Sequence, residues 1–335
     1  MQGLAWSRQI EIPFLRDLAV NVRLLVAVPI LIVAESRIDR RWRSLVLEFP
    51  RSNLVDEKTL PAFEAVLKRT IRWRDRVLPE ALLAFVALFL SVTFVKTELL
   101  MTGNSNWHSL GSGEVSAAGR WFAFVSTPIF RFLLLRWFWR MFLWTSFLWS
   151  VSRIKLFLVA THTDLAGGLG FLSEGQKAFS PIVFAGGAVI AAEVGNAIAY
   201  QGASLSSTKF LMIAYGVLAI LFLIAPLMVV TPVLLKVKRK GLLEYGAQVT
   251  IHNQLFEQKW IQEPHPAGET LLGNPDASSL ADLGSSFAVV RQMRLVPIDK
   301  PTLIALAVSA ALPMIPVVLY ATPTPELIRM LKMLG

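Results

Sequence analysis

The chain carries long runs of apolar residues, which alternate with segments rich in lysine and arginine. Residues 210–235 and 302–325 contain no charged side chain, and residues 178–192 are likewise uncharged. A helix needs about 20 apolar residues to cross the hydrocarbon core of a bilayer. The pattern therefore predicts membrane-spanning helices. The predicted spans are about 18–34, 81–97, 121–150, 178–200, 209–235 and 302–322.

The first of these spans is marginal. Asn21 and Arg23 interrupt it and leave only 24–34 continuously apolar. It fits a span, an interfacial helix or a signal-like segment, but no convincing small-residue cleavage site follows, so we do not interpret it as a removable signal. The chain thus has five or six spans. With six, both termini face outward; with five, the N-terminus lies in the cytoplasm.

Lysine and arginine set the orientation of the spans. Residues 35–80 hold eleven of them, 236–300 hold eight, and 97–119 hold none. Basic residues concentrate in cytoplasmic loops. The predicted cytoplasmic segments are therefore 35–80, 151–177 and 236–300, and the predicted outer loops are 97–120 and 201–208.

The cytoplasmic segments have apolar residues at helical spacing, as at Ile38, Trp42 and Leu45. Such amphipathic helices lie in the headgroup plane or pack on one another. We expect 35–80 and 236–300 to form a helical layer beneath the membrane. The 209–235 span is expected to continue into it as one long helix, weakened near Gly241 and Gly246. A C-terminal amphipathic helix is predicted at 325–334.

The predicted fold is an all-α integral membrane protein, with residues 1–335 forming a single membrane domain. Composition agrees, since 54% of the residues are hydrophobic, 17% are charged and the mean hydropathy is +0.55. The net charge of +10 does not indicate a nucleic-acid partner, because the basic residues flank apolar blocks. The predicted partner is the lipid bilayer, and a second copy or another membrane protein is left open.

The most distinctive stretch is HTDLAGGLGFL, which begins at His162. Gly167, Gly168 and Gly170 permit positive φ angles and allow backbone N–H groups to converge. Together with Asp164, these residues are candidates for ligand binding or gating. The favoured interpretation is a tight turn in which His162 and Asp164 cap backbone groups. A nucleotide loop is excluded, because the chain lacks GxxxxGK[ST].

No catalytic residue, metal site or cofactor is predicted. The absence of cysteine excludes disulfides, iron–sulfur clusters and thiol nucleophiles. The remaining histidines, His108, His252 and His265, do not complete a metal-ligand set with His162.

A polar set interrupts the membrane spans. Glu193, Asn196 and Tyr200 follow at i, i+3 and i+7, so they share one helix face. The predicted intramembrane polar cluster consists of Arg131, Arg136, Arg140, Glu193, Asn196 and Tyr200. Similar depths in antiparallel spans predict that Arg131 approaches Glu193, or that Arg136 does so if the span begins later. An ion pair that fixes register, a water-lined path and snorkelling to headgroups remain open interpretations.

These charges, the glycine turn and the prolines of the last two spans favour a transporter- or channel-like protein for an anion or a lipid headgroup. The alternative is a non-conducting scaffold or sensor subunit that docks a partner through its cytoplasmic helices. A third hypothesis is a membrane enzyme that uses His162 and Asp164 on a lipid-linked substrate.

Two stretches resemble a known family. HTDLAGGLGFL at 162–172 is similar to HPDxAGGLGFL, and SLADLGSSFAVVRQMRLVPIDK at 279–300 is similar to LADLGxSFxVVxxMRxVP. Both patterns belong to uncharacterised bacterial multi-pass membrane proteins, for which no activity is established. Thr163 stands where the pattern has proline. The resemblance implies residence in the bacterial inner membrane.

Overall fold

A computed structural model of the chain describes residues 12–100, 106–110, 114–262 and 270–322. The C-terminal helix predicted at 325–334 lies outside these residues. The fold is an all-α membrane protein, as predicted, and the described residues include five helices long and apolar enough to cross a membrane.

The connections between the helices differ in length, and the one between Leu100 and Ala117 includes a two-residue β-ladder between Ser109–Leu110 and Glu114–Val115. The helices are α1 (Leu18–Arg51), α2 (Leu60–Arg74), α3 (Val77–Leu100), α4 (Ala117–Ser152), α5 (Phe171–Gln201), α6 (Leu205–Met228), α7 (Thr231–Glu257), α8 (Pro275–Gln292) and α9 (Lys300–Ala321).

The five candidate spans are α1, α4, α5, α6 and α9. A sixth exists if α2 and α3 count as one broken span, since the two helices meet at a bend of 43°. The marginal first stretch is part of α1, a helix of 34 residues that includes both the predicted span and the first cytoplasmic amphipathic segment. Helical backbone therefore continues without a break past the boundary expected at residue 35.

The long helix expected after 209–235 breaks earlier than predicted. The break falls at Val229 and Val230, between α6 and α7, and α7 then runs through Gly241 and Gly246. Pro232 explains the position, because proline lacks an N–H group and fits the first turn of a helix. Neither glycine interrupts α7. Gly241 instead allows close packing: a Cβ built there would lie 2.6 Å from the Cβ of Ala160.

The core joins the spans to the helices of the predicted cytoplasmic layer. Phe49 of α1, Phe63 of α2 and Phe147 of α4 form a cluster with ring centroids 5.6 to 6.2 Å apart. This cluster anchors α2 against the ends of two spans. On the other side, α7 and α8 pack against each other as a helical hairpin. The loop at 153–170 lies between these two parts of the layer.

Candidate functional sites

The glycine-rich turn is organised around one carboxylate. The side chain of Asp164 accepts hydrogen bonds from the backbone N–H groups of Ala166 at 2.8 Å, Gly168 at 3.2 Å and Gly170 at 2.7 Å. His162 Nδ1 lies 2.8 Å from Asp164 Oδ1. Because both carboxylate oxygens bind the turn itself, the geometry supports the capping interpretation rather than an acid–base role.

The glycines of this turn are required by conformation and by space. Gly167 and Gly168 have φ angles of +66° and +99°. A Cβ at Gly168 would lie 2.9 Å from Leu54 Cδ2, and one at Gly167 would lie 3.2 Å from Met293 Cε. Leu54 precedes α2 and Met293 follows α8. The turn therefore contacts both parts of the predicted cytoplasmic layer and connects them.

The second motif packs directly on the first. The Arg294 guanidinium donates to the carbonyl of Asp164 at 2.7 Å, and the backbone N–H of Arg294 donates to the carbonyl of Leu165 at 2.6 Å. The Ser173 hydroxyl donates to Asp299 at 2.7 Å. Burial alone would raise the pKa of Asp299, but the hydrogen bonds from Thr302 and Ser173 hold it below its ordinary value of 3.8. The two distinctive stretches of sequence thus form one structural unit.

Glu193, Asn196 and Tyr200 do share one face, and that face contacts the start of α1. Arg23 Nη2 donates to Glu193 at 2.9 Å, and Asn196 Nδ2 donates to Asp17 Oδ1 at 2.8 Å. The Tyr200 hydroxyl donates to the Arg16 carbonyl at 3.1 Å. Sequence reasoning did not assign Asp17 and Arg23 to this cluster, although Arg23 was visible as a charge inside an apolar stretch.

Glu193 binds Arg23, and Arg136 binds Glu35 and Glu80, so the predicted pair of Glu193 with Arg136 does not form. Arg131 donates to Ser91 of α3 at 3.0 Å. The reason is helix adjacency, which depth alone does not determine. Closely packed small residues bring α5 against α1, so the arginine at the start of α1 reaches Glu193.

Asp17, Arg23, Glu193 and Asn196 line a cavity of about 410 Å³ on the predicted outer side, together with Asn106 and His108. We call it the outer cavity. Two π-helical turns border it, at Arg23–Ala27 and Phe122–Ser126. The Arg23 guanidinium lies 5.7 Å from the centre of the Phe122 ring and 5.3 Å from that of Phe130. Such turns inside helices occur frequently at functional sites. Burial, more than the nearby charges, lowers the pKa of His108 from 6.5 to about 4.

Arg136 and Arg140 belong to a second cluster, nearer the predicted cytoplasmic side. Arg140 binds Asp39 through two nitrogens, at 2.8 and 3.2 Å, and Glu35 at 2.9 Å. Arg136 binds Glu35 at 2.9 Å and Glu80 at 3.3 Å. Two guanidinium groups thus meet three carboxylates, which leaves no excess positive charge here for an anion.

The partners of these arginines were not identified from the sequence, yet a signal existed. Glu35 and Asp39 are four residues apart on α1, and Arg136 and Arg140 are four residues apart on α4. Residues at i and i+4 lie on the same face of a helix. Matching spacings of opposite charge on two neighbouring spans predict two facing ion pairs.

A cleft adjoins the second cluster, between α1, α2 and α4. It consists of two cavities of about 400 and 410 Å³, whose linings share Asp39, Arg43, Arg74, Arg140 and Leu143. The first cavity has an apolar wall, and the second has a charged wall. The apolar wall consists of Trp42, Val46, Leu47, Leu67, Thr70, Ile71, Leu143, Trp144 and Phe147. We call the two cavities together the cytoplasmic cleft, after the side on which the sequence predicts them to lie.

Two features of the cleft stand out. Trp42 and Trp144 stack in its wall with ring centroids 5.1 Å apart, and neither indole N–H has a hydrogen-bond partner in the described part of the chain. Arg43 likewise forms no hydrogen bond or ion pair there. Among the described residues, Arg74 forms an ion pair only with its exposed neighbour Asp75, at 2.8 Å.

The described residues contain no group of three or more His, Cys, Asp or Glu side chains placed to hold a metal ion. No protein-family model, no curated protein and no solved structure matches the chain. The resemblance of its two motifs to bacterial membrane proteins therefore stays a prediction.

Proposed function

We propose that this chain is a transporter-like protein of the bacterial inner membrane that acts on a phospholipid headgroup. The observation that carries the proposal is the presence of polar cavities on either side of the apolar run of α1. Arg23 lines the outer cavity, and Asp39 lines the cytoplasmic cleft. The two residues are about 24 Å apart along the helix at 1.5 Å per residue, which approaches the thickness of a hydrocarbon core.

Between the two cavities, α1 buries Ala27, Leu31, Ala34 and Ile38 in the core. The outer cavity and the cytoplasmic cleft share no lining residue, so the described conformation is closed between them. Alternating access requires such a closed region and elements that bend around it. The π-helical turn at Arg23–Ala27 and the break between α6 and α7 are suitable places for bending.

The charge distribution favours a lipid headgroup over a free anion. Arg136 and Arg140, the expected anion ligands, are neutralised by carboxylates. Asp17 and Glu193 outnumber Arg23 in the described lining of the outer cavity. A phospholipid also provides apolar chains, which suit the apolar wall of the cytoplasmic cleft.

A second candidate function, docking of a protein partner, is supported by α7. Leu243, Ala247, Ile251 and Leu255 follow at intervals of four residues, and the three large side chains are 76%, 51% and 61% exposed. The opposite face of α7 packs on α8. An exposed apolar stripe of this kind is typical of helices that bind a partner. Transport activity distinguishes the two candidates.

Transbilayer movement of a headgroup-labelled phosphatidylethanolamine in proteoliposomes tests the first proposal. We expect the labelled lipid to leave the inner leaflet faster than it does in protein-free vesicles. Glu193→Gln removes the charge that pairs with Arg23 and should slow this movement. Glu64→Gln is the matched control, because Glu64 is exposed on α2 and pairs only with Lys68. Rates equal to protein-free vesicles for the labelled lipid and for chloride efflux would rule out transport.

A further inference from the structure

The cytoplasmic cleft combines an apolar cavity with a basic mouth. The residues shared by its two cavities include three arginines and one aspartate, so the mouth carries excess positive charge. Arg140 is committed to Asp39 and Glu35. Of the other two shared arginines, Arg43 forms no ion pair in the described residues and Arg74 pairs only with the exposed Asp75, so these two can still contact a ligand.

The position of the cleft relative to the membrane restricts its occupant. The apolar run of α3 begins directly after Glu80, which lines the charged cavity, and the apolar run of α1 ends directly before Glu35. The mouth thus lies where the hydrocarbon core gives way to the headgroup region, on the side where lysine and arginine concentrate. Leu47, Ile71 and Trp73 are exposed near this mouth, as expected of side chains that contact lipid.

We infer that the cytoplasmic cleft binds one anionic phospholipid of the cytoplasmic leaflet. Its phosphate lies between Arg43 and Arg74, and one acyl chain occupies the apolar cavity between α1, α2 and α4. Arginine pairs well with phosphate because its donors form a planar fork. Basic pockets between membrane helices on the cytoplasmic side are known to bind anionic headgroups. The inference rests on the proposed function only in naming the class of lipid.

The test is native mass spectrometry of the full-length, delipidated protein in detergent, titrated with phosphatidylglycerol or phosphatidylcholine. We expect phosphatidylglycerol to bind with one tight site. Arg43→Ala combined with Arg74→Ala is expected to weaken that site on the order of tenfold. Thr70→Trp fills the apolar cavity and is expected to remove tight binding of both lipids, since Thr70 lines that cavity.

The matched control is Arg69→Ala combined with Arg72→Ala. This control also removes two positive charges from the 35–80 segment. Both of its side chains are exposed, and neither lines the cleft. Unchanged phosphatidylglycerol affinity in the control supports the inference. Equal weakening in the control pair, or none in the cleft pair, would overturn it.

Two further outcomes would assign the cleft to another occupant. Displacement of the lipid by millimolar glycerol 3-phosphate would show that a soluble phosphate compound is the ligand. A dimer that the Thr70→Trp variant abolishes would show that a second copy fills the cavity. Either result overturns the inference. Failure of transbilayer movement with intact cleft binding would remove the proposed function alone, and the reverse result would remove only this inference.

Discussion

The glycine turn and the cytoplasmic cleft differ in how they use their polar groups. In the turn, the Asp164 carboxylate binds three backbone N–H groups, and Arg294 binds the Asp164 carbonyl. In the cleft, Arg43 and two indole N–H groups lack a partner in the part of the chain that the structure describes. The Asp164 carboxylate is satisfied by the turn itself, whereas the cleft retains capacity to bind something else.

This difference shows that a conspicuous sequence need not be a ligand site. The stretch with histidine, aspartate and three glycines attracts attention because its residue types suit chemistry. The structure uses them for a turn that joins two layers of helices. Buried polar groups are normally hydrogen-bonded, so the groups that remain unpaired are better indicators of a ligand than residue type is.

The largest expected effect is at Asp164. Replacing Asp164 with Ala leaves three backbone N–H groups without their acceptor, which we expect to lower the free energy of unfolding by about 4 kcal/mol. Thermal unfolding in detergent measures it. Asp75→Ala is the control, because Asp75 is exposed and pairs only with Arg74. A loss below about 1 kcal/mol would refute the central structural role of Asp164.

A third region, the outer loop, provides a comparison by pH. His108 is half-buried, with both ring nitrogens shielded from solvent, and its pKa is lowered from 6.5 to about 4, so the unfolded chain binds its proton first as pH falls. The contribution of His108 to the free energy of unfolding is therefore fully present above pH 6.5 and declines by roughly 3 kcal/mol toward pH 4. Unfolding measured across this range checks it. His108→Phe should flatten this part of the profile, and an unchanged slope would contradict the assignment to His108.

Gly168 gives the next largest effect. Gly168→Ala places a Cβ 2.9 Å from Leu54 at a φ of +99°, so we expect a loss of about 2 kcal/mol. Gly284 of α8 is the control, because nothing lies within 4 Å of a Cβ built there. Gly284→Ala should stabilise the helix by up to about 1 kcal/mol. Equal unfolding temperatures for the two variants would show that the turn tolerates a side chain.

The smallest effect on stability is expected in the cleft. Arg43→Ala removes a side chain that holds no other group in place, so the free energy of unfolding should change by less than about 0.5 kcal/mol. Chemical or thermal unfolding measures this. A loss of 2 kcal/mol would mean that Arg43 has a structural role.

Much of the fold could be predicted, because span length and the distribution of lysine and arginine are local properties. The shared face of Glu193, Asn196 and Tyr200 also follows from helical periodicity alone. The partner of Glu193 could not be predicted in this way, since depth in the membrane does not determine which helices are neighbours. Arg23 was noted only as an interruption of a marginal span.

The cleft could not be predicted at all. It depends on the 43° bend between α2 and α3 and on the packing of α2 against α4 through Phe63 and Phe147. Arg43 and Arg74 are 31 positions apart and resemble the other arginines of 35–80 in sequence. Only tertiary structure places these two at the same mouth.

The most direct test measures unfolding temperature and bound phosphatidylglycerol on the same samples of Asp164→Ala and of the Arg43→Ala, Arg74→Ala pair. We predict opposite results: the turn variant loses stability while its folded fraction keeps the lipid, and the cleft variant keeps stability while it loses the lipid. Parallel changes in both quantities for both variants would contradict the division of the molecule into a structural turn and a ligand-binding cleft.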